Sequence, residues 1–408
     1  MKKSLADYIE EYGEPTAFID HHGQNDKKYA IWGFDEIIKI MPDRGLILNS
    51  HPIDGDPLEQ VQKILDKWKL ETDIIAAIGF LSYDIKTVFF PHLTFKKSDN
   101  SLPYLWFGKP KLVKEIDDYG GMPKRSVTLI SAQKPVDRKK YRKDIQSIKN
   151  HLEIGNVYQV NYTMPMLFEI PDSPWNTYMS MRHLARPTNG MYLDTGEECI
   201  LSISPEKFIK TKKDVIETFP IKGTRPRGST EQLDLSLYNA LSNSEKDRAE
   251  HLMIVDLMRN DLGKICKFGS VDVSDFQNIY SFPSVHHMIS RVFGTLKKDI
   301  QEMDIFAALF PGGSITGAPK EMAMKIIDGL EDYNRGIYTG SLGCITSDGD
   351  MDFNIAIRTM LIKNGKGTYP VGGGIVWDSR EEEEWNEAHD KIAVLKSLLS
   401  ENEQTHKQ

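Results

Sequence analysis

The chain has 408 residues, 40% of them hydrophobic, enough for one large core or two intimately joined lobes. Its net charge is −8, which argues against a nucleic-acid binder, and an anionic ligand would need a local positive field or a metal ion. The N-terminus, MKKSLADYIEEYG, has no apolar run of the secretory kind, and the apolar stretch Ile74–Leu81 is far too short to span a bilayer.

Along the chain, Leu58, Val61, Leu65 and Trp68 lie at helical spacing, and Ile74–Leu81 reads as a buried strand. The segments Asp20–Lys28 and Glu115–Lys124 are polar and turn-rich, the second a boundary between an N-terminal lobe (residues 1–120) and the rest (121–400). Tyr141, Ile145, Ile148 and Leu152 mark a helix that Gly155 closes. From Tyr158 to Phe168 apolar residues alternate with Gln159, Asn161 and Thr163, the pattern of a strand with one polar face. That face meets solvent by default, or lines a cavity. Strands and hairpins are expected over 191–220, helices over 233–262, and strands near 337–346, 351–363 and 367–377. A last helix follows Asp378, and residues 401–408 form a polar tail. Strands and helices in separate blocks point to an α+β fold. The cysteines Cys199, Cys266 and Cys344 are widely spaced and read as core thiols of a reducing, cytoplasmic setting.

Five segments carry residue types suited to chemistry. Glu384, Glu387 and Lys391 share a helix face beside the apolar stripe Trp385, Ala388, Ile392, Leu395 and Leu399. Carboxylates beside a core need a cation, although a surface salt bridge explains them equally well. Glu250, one turn into EKDRAEHLMIVDLMRNDLG, pairs with Glu387 as a possible Mg²⁺ ligand set or is simply a solvated helix residue. PGGSITGAPK has Ala318 after Gly317 where a phosphate loop needs lysine, which leaves an anion-holding helix start or a tight structural turn. Gly372, Gly373 and Gly374 interrupt a strand, as for close approach of backbone to a ligand or for a bulge. TFPIKGTRPRG places Lys222, Arg225 and Arg227 around Gly223, and partial burial of Lys222 would make its amine a nucleophile.

Taken together, YQVNYT, SPEKF, PIKGTRPRG, EKDRAEHLMIVDLMRNDLG, FPGGSITGAPK, YTGSLG, IAIRT and GGGIVWDS…EEEWNEAHDK closely resemble the chorismate-utilising enzymes, from about Tyr158 to Ile392. Residues 1–120 resemble the family's N-terminal region only loosely. The resemblance implies a two-lobed α/β sandwich of the anthranilate synthase component I type, with the active site between facing sheets. It implies Mg²⁺ held by Glu250 and Glu387, with Glu384 acting through water. Arg358, Tyr338 and the backbone of Gly372, Gly373 and Gly374 would receive the enolpyruvyl carboxylate of chorismate. Lys391, Gly223 and Thr224 would line the pocket, His287 would face the ring, and Glu206 would protonate the departing ring hydroxyl. Water-adding members carry a lysine base where this chain has Gln159, so hydroxyl-forming branches are disfavoured. Lys222 stands where anthranilate-forming members carry alanine, which points to the amino-transferring branch that makes aminodeoxychorismate. No glutaminase segment is found, so ammonia is expected from a separate glutamine amidotransferase subunit. The rivals are the anthranilate-forming branch and a silent chorismate-binding regulatory subunit.

Overall fold

The computed structural model describes residues 3–21, 27–96, 102–120, 127–133, 137–283 and 285–399. The tail 401–408 and parts of both turn-rich segments, including the position after the expected boundary at 120, lie outside the described residues.

Local signals set most elements. The helix Pro57–Glu71 starts on Asp56, whose carboxylate accepts from the Leu58 and Glu59 N–H groups, and it buries Val61, Leu65 and Trp68. It packs on the wholly buried strand Ile75–Leu81. The helix Arg138–Glu153 is capped by Asp137, buries Tyr141, Ile145 and Ile148, and is followed by Gly155 at φ 74°.

Strands from the first 120 residues are woven into later ones. Ala17–His21 pairs with Asn189–Asp194, and Ile75–Leu81 pairs with Ser341–Thr346, all antiparallel within one 19-stranded system. A separate three-stranded sheet sets Gln159–Met164 between Gly317–Ala318 and Val371–Ile375. One apolar core gathers Tyr141, Ile148, Val160, Tyr162 and Ala388 around this small sheet. Another joins Trp68, Ile254, Met258, Phe306 and Phe353. The fold is thus mixed α/β with large sheets, and among the described residues no helix is long and apolar enough to cross a membrane.

Two expectations are corrected, and two open alternatives are decided. The alternating run 158–168 is not one strand. It breaks at Pro165, which has no N–H for the ladder, and Leu167–Glu169 joins the large sheet instead. The polar residues Gln159, Asn161 and Thr163 are buried rather than turned to solvent. The last helix also breaks: Glu381–Asp390 is followed by the short helix Ala393–Lys396. The three glycines 372–374 are not a bulge, because their pairing with Gln159–Met164 runs without a register shift. Cys266 and Cys344 are buried, Cys199 is half-buried, and all three are free thiols.

Candidate active site

Lys222 lies on the strand Ile221–Pro226, which pairs with Val285–Thr295. The register slips between Lys222 and Thr224, and Gly223 occupies the slip at φ 77°. A Cβ there would sit 2.7 Å from Leu241 Cδ1, so conformation and space both require glycine. Among the described residues the half-buried Lys222 ammonium has no hydrogen-bond or salt-bridge partner. Burial draws its pKa down, and the charges of Glu250, Glu206 and Glu387 oppose that fall while Lys391 adds to it. One lysine is therefore within electrostatic reach of Glu206, Glu250, Glu387 and Lys391.

Glu206 is buried just beyond the strand Cys199–Ser204. Its backbone is anchored on both sides: its carbonyl accepts from Ile355 N–H at 3.0 Å, and its N–H donates to Ser204 Oγ at 3.1 Å. Ser314 Oγ donates to its carboxylate Oε1 at 2.8 Å. Burial pushes the carboxyl up to about 7, against the lowering pull of Ser314, Lys222 and the Ile221 backbone. A carboxyl poised there can hold and release a proton near neutrality.

Three glutamates converge from two helices. Glu250 is half-buried on Glu245–Ile265; burial raises its pKa and the nearby Glu384 raises it further. Glu384 is buried on Glu381–Asp390 and is raised by burial and by Glu387. Glu387 is exposed, and Lys391, 2.9 Å away, holds its pKa down. Lys391 Nζ also donates to the Gly372 carbonyl at 2.6 Å. Among the described residues no three His, Cys, Asp or Glu side chains are gathered into a ready metal site. The donor chemistry nevertheless fits a hard cation, since Glu384 raises the proton affinity of Glu250 and Glu387 raises that of Glu384, against the lowering pull of Ser379 and nearby lysines.

Space around the glycines assigns each a neighbour. A Cβ on Gly372 would lie 2.1 Å from the Tyr162 carbonyl oxygen, and one on Gly374 would lie 2.9 Å from the Gln159 amide. One on Gly373 would face Glu384 Oε2 at 3.4 Å and Lys391 Nζ at 3.5 Å. Strand packing thus requires Gly372, Gly374 lies against the Gln159 amide, and Gly373 opens onto the charged cluster. Gln159 is fully buried, yet among the described residues neither its amide nitrogen nor its amide oxygen has a hydrogen-bond partner. Such a group costs about 1–3 kcal/mol to bury.

On the other flank, Thr224 Oγ1 lies 2.9 Å from His287 Nδ1. Burial, then the charge of Arg358, pushes His287 down to about 4, so its ring is neutral near pH 7. Arg358 holds a left-handed φ of 49° and has no side-chain partner among the described residues. Its charge is felt by the buried phenols of Tyr338 and Tyr369, both pushed upward by burial. An unpaired guanidinium beside two phenols and a neutral imidazole is suited to an anion.

Sequence reasoning weighed PGGSITGAPK as an anion-holding helix start. Residues 311–318 are instead buried, and Cβ atoms on Gly313 or Gly317 would each come within 2.2 Å of Leu257 Cδ2 or the Gln159 carbonyl. The turn is structural, and its contribution to the site is Ser314, which no spacing rule singles out. His251 is likewise missed: it is buried beside Glu250, with Nε2 2.7 Å from Ser290 Oγ and Nδ1 unpartnered. Its position next to a candidate ligand was the available signal.

Residues 121–397 match the family described as chorismate binding enzyme. Anthranilate synthase component 1 of Saccharolobus solfataricus is 34% identical over 336 residues, covering 79% of this chain and 80% of that protein. Aminodeoxychorismate synthase component 1 of Bacillus subtilis is 32% identical over 427 residues, covering 93% of this chain and 91% of that protein. The crystal structure of anthranilate synthase component I from Streptococcus pneumoniae superposes with a TM-score of 0.79 at 26% identity, covering 92% and 93% of the two chains. The chain belongs to the family of chorismate binding enzymes.

Proposed function

We propose that the chain forms 4-amino-4-deoxychorismate from chorismate and ammonia, through a covalent adduct on Lys222, in a cytoplasmic route to para-aminobenzoate and folate. The observation that carries this reading is the pairing of a half-buried, unpartnered lysine of lowered pKa with a buried carboxyl poised near 7.

The uncharged Lys222 amine attacks the ring carbon beside the one bearing the carboxylate. Both ring double bonds shift by one bond, the C–O bond to the ring hydroxyl breaks, and the Glu206 proton leaves with that hydroxyl as water. Ammonia then attacks the carbon the hydroxyl left, both double bonds shift back, and the Lys222 nitrogen departs as the neutral amine. The new ring amine keeps its third proton as an ammonium, and Glu206 is reprotonated from solvent. The enolpyruvyl group is untouched. Arg358 and Tyr338, with the backbone at Gly373, orient the enolpyruvyl carboxylate. His287, held by Thr224, contributes a neutral surface to the ring. Glu250, Glu384 and Glu387 would hold Mg²⁺, which supplies positive charge for the ring carboxylate when bound. Gln159 cannot deprotonate water near pH 7, which favours ammonia as the nucleophile. A glutamine amidotransferase subunit supplies that ammonia.

Anthranilate formation is the second reading, favoured by the likeness to the Saccharolobus solfataricus protein. Chorismate, Mg²⁺ and ammonium at alkaline pH, followed by liquid chromatography with mass spectrometry, separate the two. An aminated product retaining its enolpyruvyl group supports the proposal, whereas anthranilate with released pyruvate moves the chain to the second reading.

A further inference from the structure

Ser314 lies in the short helical turn Gly313–Ile315, outside the elements that carry Glu206, Lys222 and the three glutamates. It is buried, and its hydroxyl donates to Glu206 Oε1 at 2.8 Å. Its place is fixed from both sides. Gly313 sits against Leu257 with no room for a Cβ, and Thr316 Oγ1 closes the turn on the Gly312 carbonyl at 2.9 Å. At the far end of the loop, Lys320 Nζ donates to Asp261 Oδ2 at 2.8 Å and to the Leu309 carbonyl at 3.0 Å. The turn therefore cannot slide along the helix Glu245–Ile265, and the serine hydroxyl stays aimed at one carboxylate oxygen.

We infer that Ser314 is the positioning residue of the general acid: by occupying Oε1 it leaves Oε2 to carry the proton, and it strengthens its hold as that proton departs. This rests on the reading of Glu206 as the acid. A hydroxyl bonded to a neutral carboxyl becomes a charge-assisted donor once the carboxyl ionises, so the interaction grows along the proton transfer. The charge facing Glu206 is Lys222 from the strand Ile221–Pro226, with the Ile221 backbone beside it. Of these groups only Ser314 is a side chain with no charge and no other role in the reaction.

The test compares wild type with Ser314→Ala and Ser314→Thr, with Glu206→Gln as the reference. The Glu206 carboxyl is followed directly by infrared difference titration, as the band lost in Glu206→Gln. Loss of a donor to the charged form raises the midpoint in Ser314→Ala, and Ser314→Thr restores it. In the kcat/KM profile for chorismate the limb set by Glu206 moves to higher pH by the same amount, and kcat falls about tenfold. An unmoved infrared midpoint in a folded Ser314→Ala variant overturns the inference. A raised midpoint with no movement of the kinetic limb upholds the Ser314–Glu206 link and removes Glu206 from the role of acid.

Discussion

Two polar regions of opposite character meet the strand Gln159–Met164. In one, Arg335 and Glu331, both almost fully buried, saturate each other and their surroundings. Glu331 Oε1 accepts from Thr163 N–H at 2.8 Å, Thr163 Oγ1 at 2.7 Å and Arg335 Nη2 at 2.7 Å. Arg335 also donates to the Asn161 carbonyl at 2.6 Å and the Ile315 carbonyl at 3.1 Å. In the other, among the described residues, Gln159 has a bare amide and the side chains of Lys222 and Arg358 have no hydrogen-bond or salt-bridge partner. The contrast separates polar groups that hold the fold from polar groups kept for a ligand. A satisfied network fixes structure, while unmet hydrogen-bonding capacity in a site costs stability that binding can return.

The comparison is broken most severely at Lys222. Lys222→Ala should lose nearly all aminodeoxychorismate formation with an unchanged melting temperature, and an unchanged rate would remove the covalent step. Glu206→Gln should lower kcat about 10²–10⁴-fold, measured in the same assay, again without unfolding. On the saturated side the effect should reverse. Glu331→Ala strands the buried Arg335 charge and should cost about 3–5 kcal/mol by denaturant unfolding. A loss within the surface range would make that network dispensable.

The mildest change tests the bare amide. Gln159→Leu removes an unsatisfied buried group and should leave stability unchanged or raise it by about 1–3 kcal/mol while weakening turnover. A large destabilisation would show that Gln159 has a structural partner. The pH dependence follows from the same groups. Glu206 must carry its proton, so its contribution is lost as pH rises through about 7. Lys222 must be without one, so its contribution is lost as pH falls through its lowered pKa. Because the two charges face each other, the limbs belong to the pair, and kcat/KM should be bell-shaped at a fixed concentration of free ammonia. A profile flat across both limbs would contradict the assignment.

Much of this was legible from the sequence. Helical spacing found the burial of Val61, Leu65 and Trp68, and the motif segments named Glu206, Lys222, Glu250 and Glu387 before any geometry. Period-two alternation carried one pattern through Pro165, because Met166 and Phe168 keep the apolar rhythm although the chain changes sheets there. The saturated network was invisible, since Thr163 lies 168 residues from Glu331, and Glu331 and Arg335, four residues apart, read as an ordinary surface ion pair. Ser314 was hidden for the same reason: its partner Glu206 lies 108 residues away. Periodicity reports which face is buried, not which buried groups find each other.

The central claim is that Lys222 bonds to the substrate, and it can be tested with ammonia left out. The chain is incubated with chorismate and Mg²⁺, quenched, digested and analysed by peptide mass spectrometry. The account predicts a modification of chorismate less one water on the peptide containing Lys222, discharged when ammonium is added. An unmodified Lys222 peptide under conditions where ammonium still yields the aminated product would contradict it.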